Sequence, residues 1–206
     1  MVAGRRVTDA ATLLSVQQAI AGEVNVALQN GLSAAGIAAV GLHGVVTAVR
    51  RPPKVLAGAG PDPVDLGLVG DPTGFDLPLL QHLLAGRYVP VVACLGRASD
   101  GSTLNINADL VANQLALALR VDALVLITSA PGVMGDIADP GSRIPRLTIS
   151  EGRALIASGA AKGGMVAKLD ESLTAVQSGV PAIYILDRNI TGALDAPGSV
   201  GTILVA

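Results

Sequence analysis

Three short segments bring together residue types that handle small anions. Asn105-Ile106-Asn107-Ala108-Asp109 sets two carboxamides and a carboxylate where a helix is expected to begin. Two carboxamides can grip a small carboxylate or amide, because each supplies donors and an acceptor. The free amides of a helix start favour anions as well. The same residues also suit an ordinary capping turn. Lys162-Gly163-Gly164-Met165-Val166-Ala167-Lys168 puts two glycines ahead of a second helix, which lets backbone approach a ligand closely. Lys168, one turn in, can bring a compact positive charge to a phosphate at that helix start; the alternative is a solvated surface lysine. Leu126-Ile127-Thr128-Ser129-Ala130-Pro131-Gly132-Val133 reads as a buried strand that runs out into small polar residues and a turn. Open α/β sheets take ligands beyond such strand ends, although ordinary strand exits look the same.

These segments need elements to position them. Thr8 is placed to cap a long helix that begins at Asp9, with Leu13, Val16, Ile20, Val24 and Leu28 on its inner face and Gly36 as its stop. Residues 37–42 then read as a buried strand. Residues 43–75 are rich in glycine and proline, with short strands expected at 45–49 and 66–69 in hairpins away from the main sheet. Asp76 is placed to cap a short helix through Leu84, followed by a strand at 89–94. Ser99-Asp100-Gly101-Ser102 is a hairpin turn signal. A helix over about 108–120 leads to the strand 123–128. Thr148-x-x-Glu151 is a capping-box pattern ahead of a helix at 149–158. Gly163-Gly164 opens a helix over 165–178, and strands follow at 180–186 and 201–205. Regular alternation of strand and helix indicates a parallel-cored α/β sandwich.

Composition agrees. Half of the 206 residues are apolar and aromatics make up only 1%, so the core is aliphatic, as in helices packed on buried parallel strands. A formal charge of -2, with no basic block and no Trp, speaks against nucleic acid as a partner. Gly, Pro or a charge interrupts each apolar run before the ~18 residues a membrane span needs. The first residues, Met1-Val2-Ala3-Gly4-Arg5-Arg6, carry no apolar stretch of signal-peptide type. Cys94, the single cysteine, reads as a small core residue in a reducing compartment.

In chain order, Gly4-x-Arg6-Val7-Thr8-Asp9, Val64-Asp65-Leu66-Gly67-Leu68-Val69-Gly70, Val89-Pro90-Val91-Val92, Asn105-x-Asn107-Ala108-Asp109, Leu126-x-Thr128-x-x-x-Gly132-Val133, Gly163-Gly164-Met165-x-x-Lys168 and Gly201-Thr202 resemble the N-acetylglutamate kinases, of the amino acid kinase fold. The resemblance runs over nearly the whole chain, and the Asn-x-Asn-Ala-Asp and Gly-Gly-Met-x-x-Lys pair is its specific part. It implies a three-layer αβα sandwich with a mostly parallel central sheet. It also implies two lobes: 1–95 for the acyl amino acid and dimer contacts, and 96–206 for ATP with Mg2+ carried by the nucleotide. The implied reaction is ATP-dependent phosphorylation of the side-chain carboxylate of N-acetyl-L-glutamate, giving N-acetylglutamyl 5-phosphate for arginine biosynthesis in the cytoplasm. By resemblance Arg6 holds the substrate's α-carboxylate, and Asn105 and Asn107 hold the same molecule. Asp109 orients catalytic lysines. Lys168 stabilises charge on the phosphoryl group in flight. Thr128, Ser129, Gly132, Val133, Gly163, Gly164 and Met165 border the nucleotide. A homodimer built on the helix at 9–35 and nearby hairpins is implied too.

The sequence departs from that family in places. The family's Lys-x-Gly-Gly and His-Gly-Gly-Gly loops are expected ahead of Met1, which would leave the chain as given impaired. Arg5 stands where an aliphatic residue is usual, and Ser129 where many members carry an acidic or amide residue. His43 lies where a Ser-Gly-x-Asp is usual and reads as a polar loop residue rather than a substrate contact. Two rival readings stand beside the main one. One is a kinase for α-aminoadipate borne on an acidic carrier protein, for which only Arg50-Arg51-Pro52-Pro53-Lys54 offers basic residues. The other is a non-catalytic nucleotide-binding remnant.

Overall fold

A computed structural model describes residues 7–55, 60–136, 138–161, 163–188 and 190–206. The chain divides into two compact units, Met1–Val111 and Ala112–Ala206. This differs from the 95/96 boundary expected from sequence, for a reason that lies in strand pairing. The strands β2 (Val46–Arg50), β3 (Gly70–Phe75), β5 (Leu95–Arg97) and β6 (Thr103–Asn105) form one sheet in the order β3-β2-β5-β6. β5 pairs with β2 in parallel and with β6 in a hairpin, so both stay with the N-terminal unit.

The first helical run begins at α1 (Ala10–Val16), continues through a π-helical stretch, Gln17–Val24, and ends in α2 (Asn25–Ala34). Its cap is Asp9, not Thr8: Asp9 Oδ1 accepts the Thr12 N–H at 2.7 Å. That backbone hydrogen bond holds the Asp9 carboxyl below the usual carboxylate range. Thr8 is instead fully buried and joins a strand-like bridge. The expected inner face holds only at its start. Leu13 is buried, but Val24 and Leu28 are 46% and 53% exposed, while Asn25 is 5% exposed. A π turn closes i→i+5 and takes in an extra residue, so everything after it rotates relative to a 3.6-residue pattern. Asn25 thereby faces the sheet formed by β1 (Ala39–Leu42) and β4 (Val89–Val92), which pair in parallel. Its Nδ2 donates to Val91 O at 2.9 Å and its Oδ1 accepts from Gln29 Nε2 at 2.8 Å. Gly41 comes so close that an added Cβ would lie 2.2 Å from Asn25 Oδ1.

The strand expected at 66–69 makes only isolated bridges there, Thr8 with Gly67 and Val69 with Asn105. The paired strand is β3, which contains Pro72 and Gly74. Proline is tolerated because β3 is the edge of its sheet and Pro72 falls at a register shift, between Thr47 and Ala48 of β2. The strand expected at 89–94 ends at Val92, because Leu95 N–H turns back onto Ala93 O at 2.8 Å and the chain enters a different sheet. The β5–β6 hairpin turns at Gly101, φ +84°, as the turn signal indicated. Cys94 packs against the core of Val45, Val46, Leu104, Ile106 and Val111, and burial pushes its thiol above the usual range. A short helix, α3 (Leu77–Ala85), starts at its expected cap, Asp76.

Helix α4 (Ala108–Leu119) carries the chain toward the second unit. That unit's sheet has the order β7-β9-β10-β8, from β7 (Leu124–Ile127), β8 (Arg146–Thr148), β9 (Ile183–Leu186) and β10 (Thr202–Val205). Helices α5 (Ile149–Ala157) and α6 (Gly164–Gln177) complete it. The capping box is as expected. The Thr148 hydroxyl accepts the Glu151 N–H, and a Glu151 oxygen accepts the Thr148 N–H at 2.8 Å, which lowers the Glu151 pKa. The cap's stabilisation is therefore present at neutral pH and is lost as pH falls through that lowered value. Leu126, Val133, Leu147, Leu169, Leu173, Ile183, Ile185 and Leu204 form the core. The mixed α/β class is as expected, and parallel pairing prevails, in four of the seven described ladders. Among the described residues the strands make three sheets rather than one central one. No described helix is long and apolar enough to cross a membrane.

Candidate functional site

In the N-terminal unit one polar corner is built around a buried threonine. Thr8 N–H donates to Leu66 O at 2.9 Å, and Thr8 O accepts from Leu68 N–H at 2.7 Å. Asn105, at the end of β6, donates its backbone N–H to Leu68 O and its Nδ2 to Thr8 Oγ1 at 3.1 Å. Gly67 lets the two segments meet. Its φ is +77°, and an added Cβ would sit 2.3 Å from Thr8 O. Asp65 accepts the Gly67 N–H at 2.8 Å, and Arg50 Nε donates to Gly67 O at 3.0 Å. The half-buried Asn105 amide is thus oriented at one end, with its Oδ1 in none of these bonds. Arg6, two residues before Thr8, lies outside the described residues.

The two asparagines part company in role. Asn107 is exposed and its Oδ1 accepts the Leu110 N–H at 3.1 Å, so it caps α4. The cap uses its Oδ1 alone, so a ligand contact through Nδ2 is compatible with it. Asp109 is half-buried in the first turn of α4, where the helix dipole favours a carboxylate.

The C-terminal unit carries the other candidates. Gly163 caps α6 with φ +57° and no side-chain hydrogen bond at that cap. An added Cβ at Gly163 or Gly164 would meet nothing within 4 Å. The helix start therefore presents amide groups and open space, the environment that suits phosphate oxygens. Lys168 is half-buried, one turn further along α6, and Met165 packs against the core. Lys162 lies outside the described residues. Thr128 and Ser129 follow the end of β7, with the Thr128 N–H bonded to Leu186 O at 2.7 Å. Val133 is fully buried, and its N–H and C=O are already bonded to Thr202 Oγ1 and the Ile144 N–H.

Sequence reasoning gave Gly201-Thr202 no role, yet this pair fixes the loop after β7. The buried Thr202 hydroxyl accepts the Val133 N–H at 2.8 Å and donates to Ile144 O at 2.6 Å. Gly132, φ +144°, lies so close that an added Cβ would be 2.8 Å from Thr202 Oγ1. Arg143 donates to Gly198 O at 3.1 Å and also to Gly201 O, tying down the segment before β10. The signal for Gly201-Thr202 was its place among the motifs of the resemblance, which carried no role with it. Thr202→Val keeps the shape but strands a buried donor and acceptor. It should cost about 2–4 kcal/mol in urea unfolding, since each orphaned buried group costs ~1–3 kcal/mol; Thr202→Ser should cost less than half of that. Equal losses would remove the hydroxyl from the account.

The profile of the amino acid kinase family matches residues 2–187. Curated relatives include a protein named acetylglutamate kinase from Anaeromyxobacter dehalogenans (strain 2CP-1), 55% identical over 100% of this chain and 79% of that one. Another of that name, from Sorangium cellulosum (strain So ce56), is 55% identical over 99% of this chain and 75% of its own. Among solved structures, smu.665 of Streptococcus mutans UA159 superposes with a TM-score of 0.79 at 28% identity, covering 100% of this chain and 76% of that one. An N-acetylglutamate synthase from Neisseria gonorrhoeae, TM-score 0.82 at 23% identity over 100% of this chain and 46% of its own, shares the fold.

Proposed function

The chain belongs to the amino acid kinase family, and from that premise we propose that it transfers the terminal phosphoryl group of ATP to the side-chain carboxylate of N-acetyl-L-glutamate. The names of its close relatives support this substrate. The observation that carries it is the Thr8–Asn105 corner, where Asn105 Nδ2 donates one hydrogen to Thr8 Oγ1 and has a second to give to a carboxylate. A guanidinium and an oriented amide are a fitting pair for a carboxylate.

The reaction asks little covalent chemistry of the protein. A carboxylate oxygen of the substrate attacks the γ-phosphorus, the bond from that phosphorus to the β–γ bridging oxygen breaks, and ADP leaves with the electron pair. The carboxylate is already ionised, so no base is needed, and catalysis rests on positioning and charge neutralisation. In this reading Arg6 holds the α-carboxylate, and Asn105 and Asn107 hold the same molecule. The amides opened by Gly163 and Gly164 receive phosphate oxygens. Thr128, Ser129 and the backbone of Gly132 and Val133 border the nucleotide, with Met165 supporting them from the core side. Lys168 neutralises charge that builds on the phosphoryl group, and Asp109 keeps the role, implied by the resemblance, of a carboxylate that orients catalytic lysines. Mg2+ travels with the nucleotide; among the described residues no cluster of three or more His, Cys, Asp or Glu is arranged to hold a metal ion.

The carrier-protein reading needs free basic residues, and in its basic stretch the two arginines are engaged, which leaves Lys54. Arg50 pairs with Asp65 at 3.0 Å, and Arg51 forms a bridge with Asp71. Acetylglutamate-dependent ADP release tests the proposal. Asn105→Ala is expected to raise the acetylglutamate KM about tenfold or more, at little change in the ATP KM, as the loss of a charge-assisted hydrogen bond requires. An unchanged KM would take Asn105 out of the substrate site. ATP binding with no turnover on acetylglutamate or on carrier-borne aminoadipate would favour the non-catalytic reading.

A further inference from the structure

The segment that leaves β7 is anchored at both ends. At the near end the Thr128 N–H donates to Leu186 O, on the neighbouring strand β9, at 2.7 Å. At the far end the Val133 N–H donates to Thr202 Oγ1 at 2.8 Å, and the Val133 C=O accepts the Ile144 N–H at 2.9 Å. Between the anchors, the N–H groups of Ser129, Ala130 and Gly132 donate to no described residue. Ser129 is exposed and Ala130 half-buried, so the middle of the span is open to a ligand. Successive main-chain N–H groups in a turn suit an anionic or polar ligand edge, provided that the turn keeps its shape.

The far anchor depends on a residue 69 positions along the chain. Thr202 is fully buried, and its hydroxyl hydrogen goes to Ile144 O at 2.6 Å, which leaves the oxygen to accept from Val133. Gly201, φ +66°, seats this hydroxyl against β9: an added Cβ there would lie 2.5 Å from Ile185 O. Arg143 holds the residues ahead of Thr202 through the carbonyls of Gly198, Ser199 and Gly201. Among the described residues it pairs with no carboxylate, so its donors serve this segment.

We propose that Thr202 is a positioning residue for the nucleotide: its hydroxyl holds the loop after β7 in the one shape in which Ser129 and Ala130 receive ATP. The inference rests on the assignment of that loop to the nucleotide in the reading above. A loop that keeps its competent shape only about a tenth of the time binds about tenfold more weakly, although no group that touches the ligand is lost. Calorimetry with the non-hydrolysable ATP analogue AMP-PNP and Mg2+ tests this on the whole chain, at a temperature where circular dichroism shows each variant folded. AMP-PNP binds saturably to the unaltered protein. Thr202→Val weakens binding about tenfold or more, and Thr202→Ser, which keeps the hydroxyl, restores most of it. In steady-state kinetics Thr202→Val raises the ATP KM and leaves the acetylglutamate KM within about twofold, a split that general loosening of the protein does not produce. The proposal is overturned if the unaltered protein binds no AMP-PNP, or if Thr202→Val binds it as tightly. It is equally overturned if Thr202→Ser fares no better than Thr202→Val, or if both KM values rise alike. Should Thr202→Val fail to fold, Arg143→Leu loosens the same segment and decides by the same criterion: AMP-PNP affinity falls about threefold or more, and an unchanged affinity overturns the proposal. AMP-PNP binding that follows the expected order without any phosphorylation of acetylglutamate would count against the proposed reaction and uphold the role of Thr202.

Discussion

Lys168→Ala lowers the turnover of acetylglutamate phosphorylation by about 100-fold or more and leaves the ATP KM within a few-fold of its starting value. The split follows from where the charge acts. ATP in its ground state is held by several contacts, which in this proposal include the amides at the start of α6 and the residues after β7. The ammonium matters most when negative charge accumulates on the phosphoryl group between its two oxygens. Removing one preorganised donor or charge of this sort typically costs ~3–4 kcal/mol of transition-state stabilisation, and each 1.4 kcal/mol is a factor of about ten in rate. Lys168→Arg retains the charge but moves it outward on a planar fork, so it should recover part of the rate. Steady-state kinetics on the three proteins decide the matter. A turnover that survives Lys168→Ala would remove the residue from the mechanism. A loss confined to the ATP KM would make it a binding residue only.

Gly67→Ala is expected to destabilise the N-terminal unit by about 3–5 kcal/mol, combining the cost of a positive φ with a steric conflict that has no easy relief. The conflicting atom is a backbone oxygen, Thr8 O, only 2.3 Å from the added Cβ. Thr8 cannot withdraw, because it is fully buried and bonded to Leu66 and Leu68. Gly159 supplies the control. Its φ is +75°, nearly the same, but an added Cβ there meets nothing within 4 Å. Gly159→Ala should therefore show the conformational part alone, about 1–2 kcal/mol. The midpoint of thermal unfolding should drop by roughly 6–20 °C for Gly67→Ala, at about 2–4 °C per kcal/mol in a protein of this size. Its acetylglutamate KM should rise as well, since Asn105 loses its seat on Thr8. Similar losses in the two variants would mean that the close approach at Gly67 contributes nothing.

The features legible in the sequence were those governed by neighbours along the chain. The Thr148–Glu151 capping box, the Asp76 cap, the turn at Gly101 and the buried aliphatic run of β9 each rest on local chemistry that a short window contains. Family membership was legible from the ordered motifs. What escaped depended on distant partners. Asp9 rather than Thr8 caps the first helix because Thr8 is claimed by Leu66 and Leu68. β3 looked like a loop because Pro72 and Gly74 break strands in general but not at an edge with a register shift. The π turn has no sequence signature, so Val24 and Leu28 were assigned to a face that Asn25 and Gln29 occupy. Within the candidate site, Asn105 and the two glycines before α6 stood out by residue type. Thr202 did not, since a hydroxyl that bridges Val133 to Ile144 is visible only once the strands are assembled.

The contact between Asn25 and Gly41 has a bearing on how this chain can change over generations. The missing side chain at position 41 is space reserved for an amide on a different element, not slack in the strand. An alanine there would force the Asn25 and Gln29 amides apart, since its Cβ would lie 2.2 Å from Asn25 Oδ1 and 2.3 Å from Gln29 Nε2. Shortening Asn25 alone would forfeit its bond to Val91 O and still leave Gln29 Nε2 2.3 Å from the added Cβ, so Gln29 has to move as well. The three positions are therefore coupled, and the cost of changing them together is not the sum of the single changes.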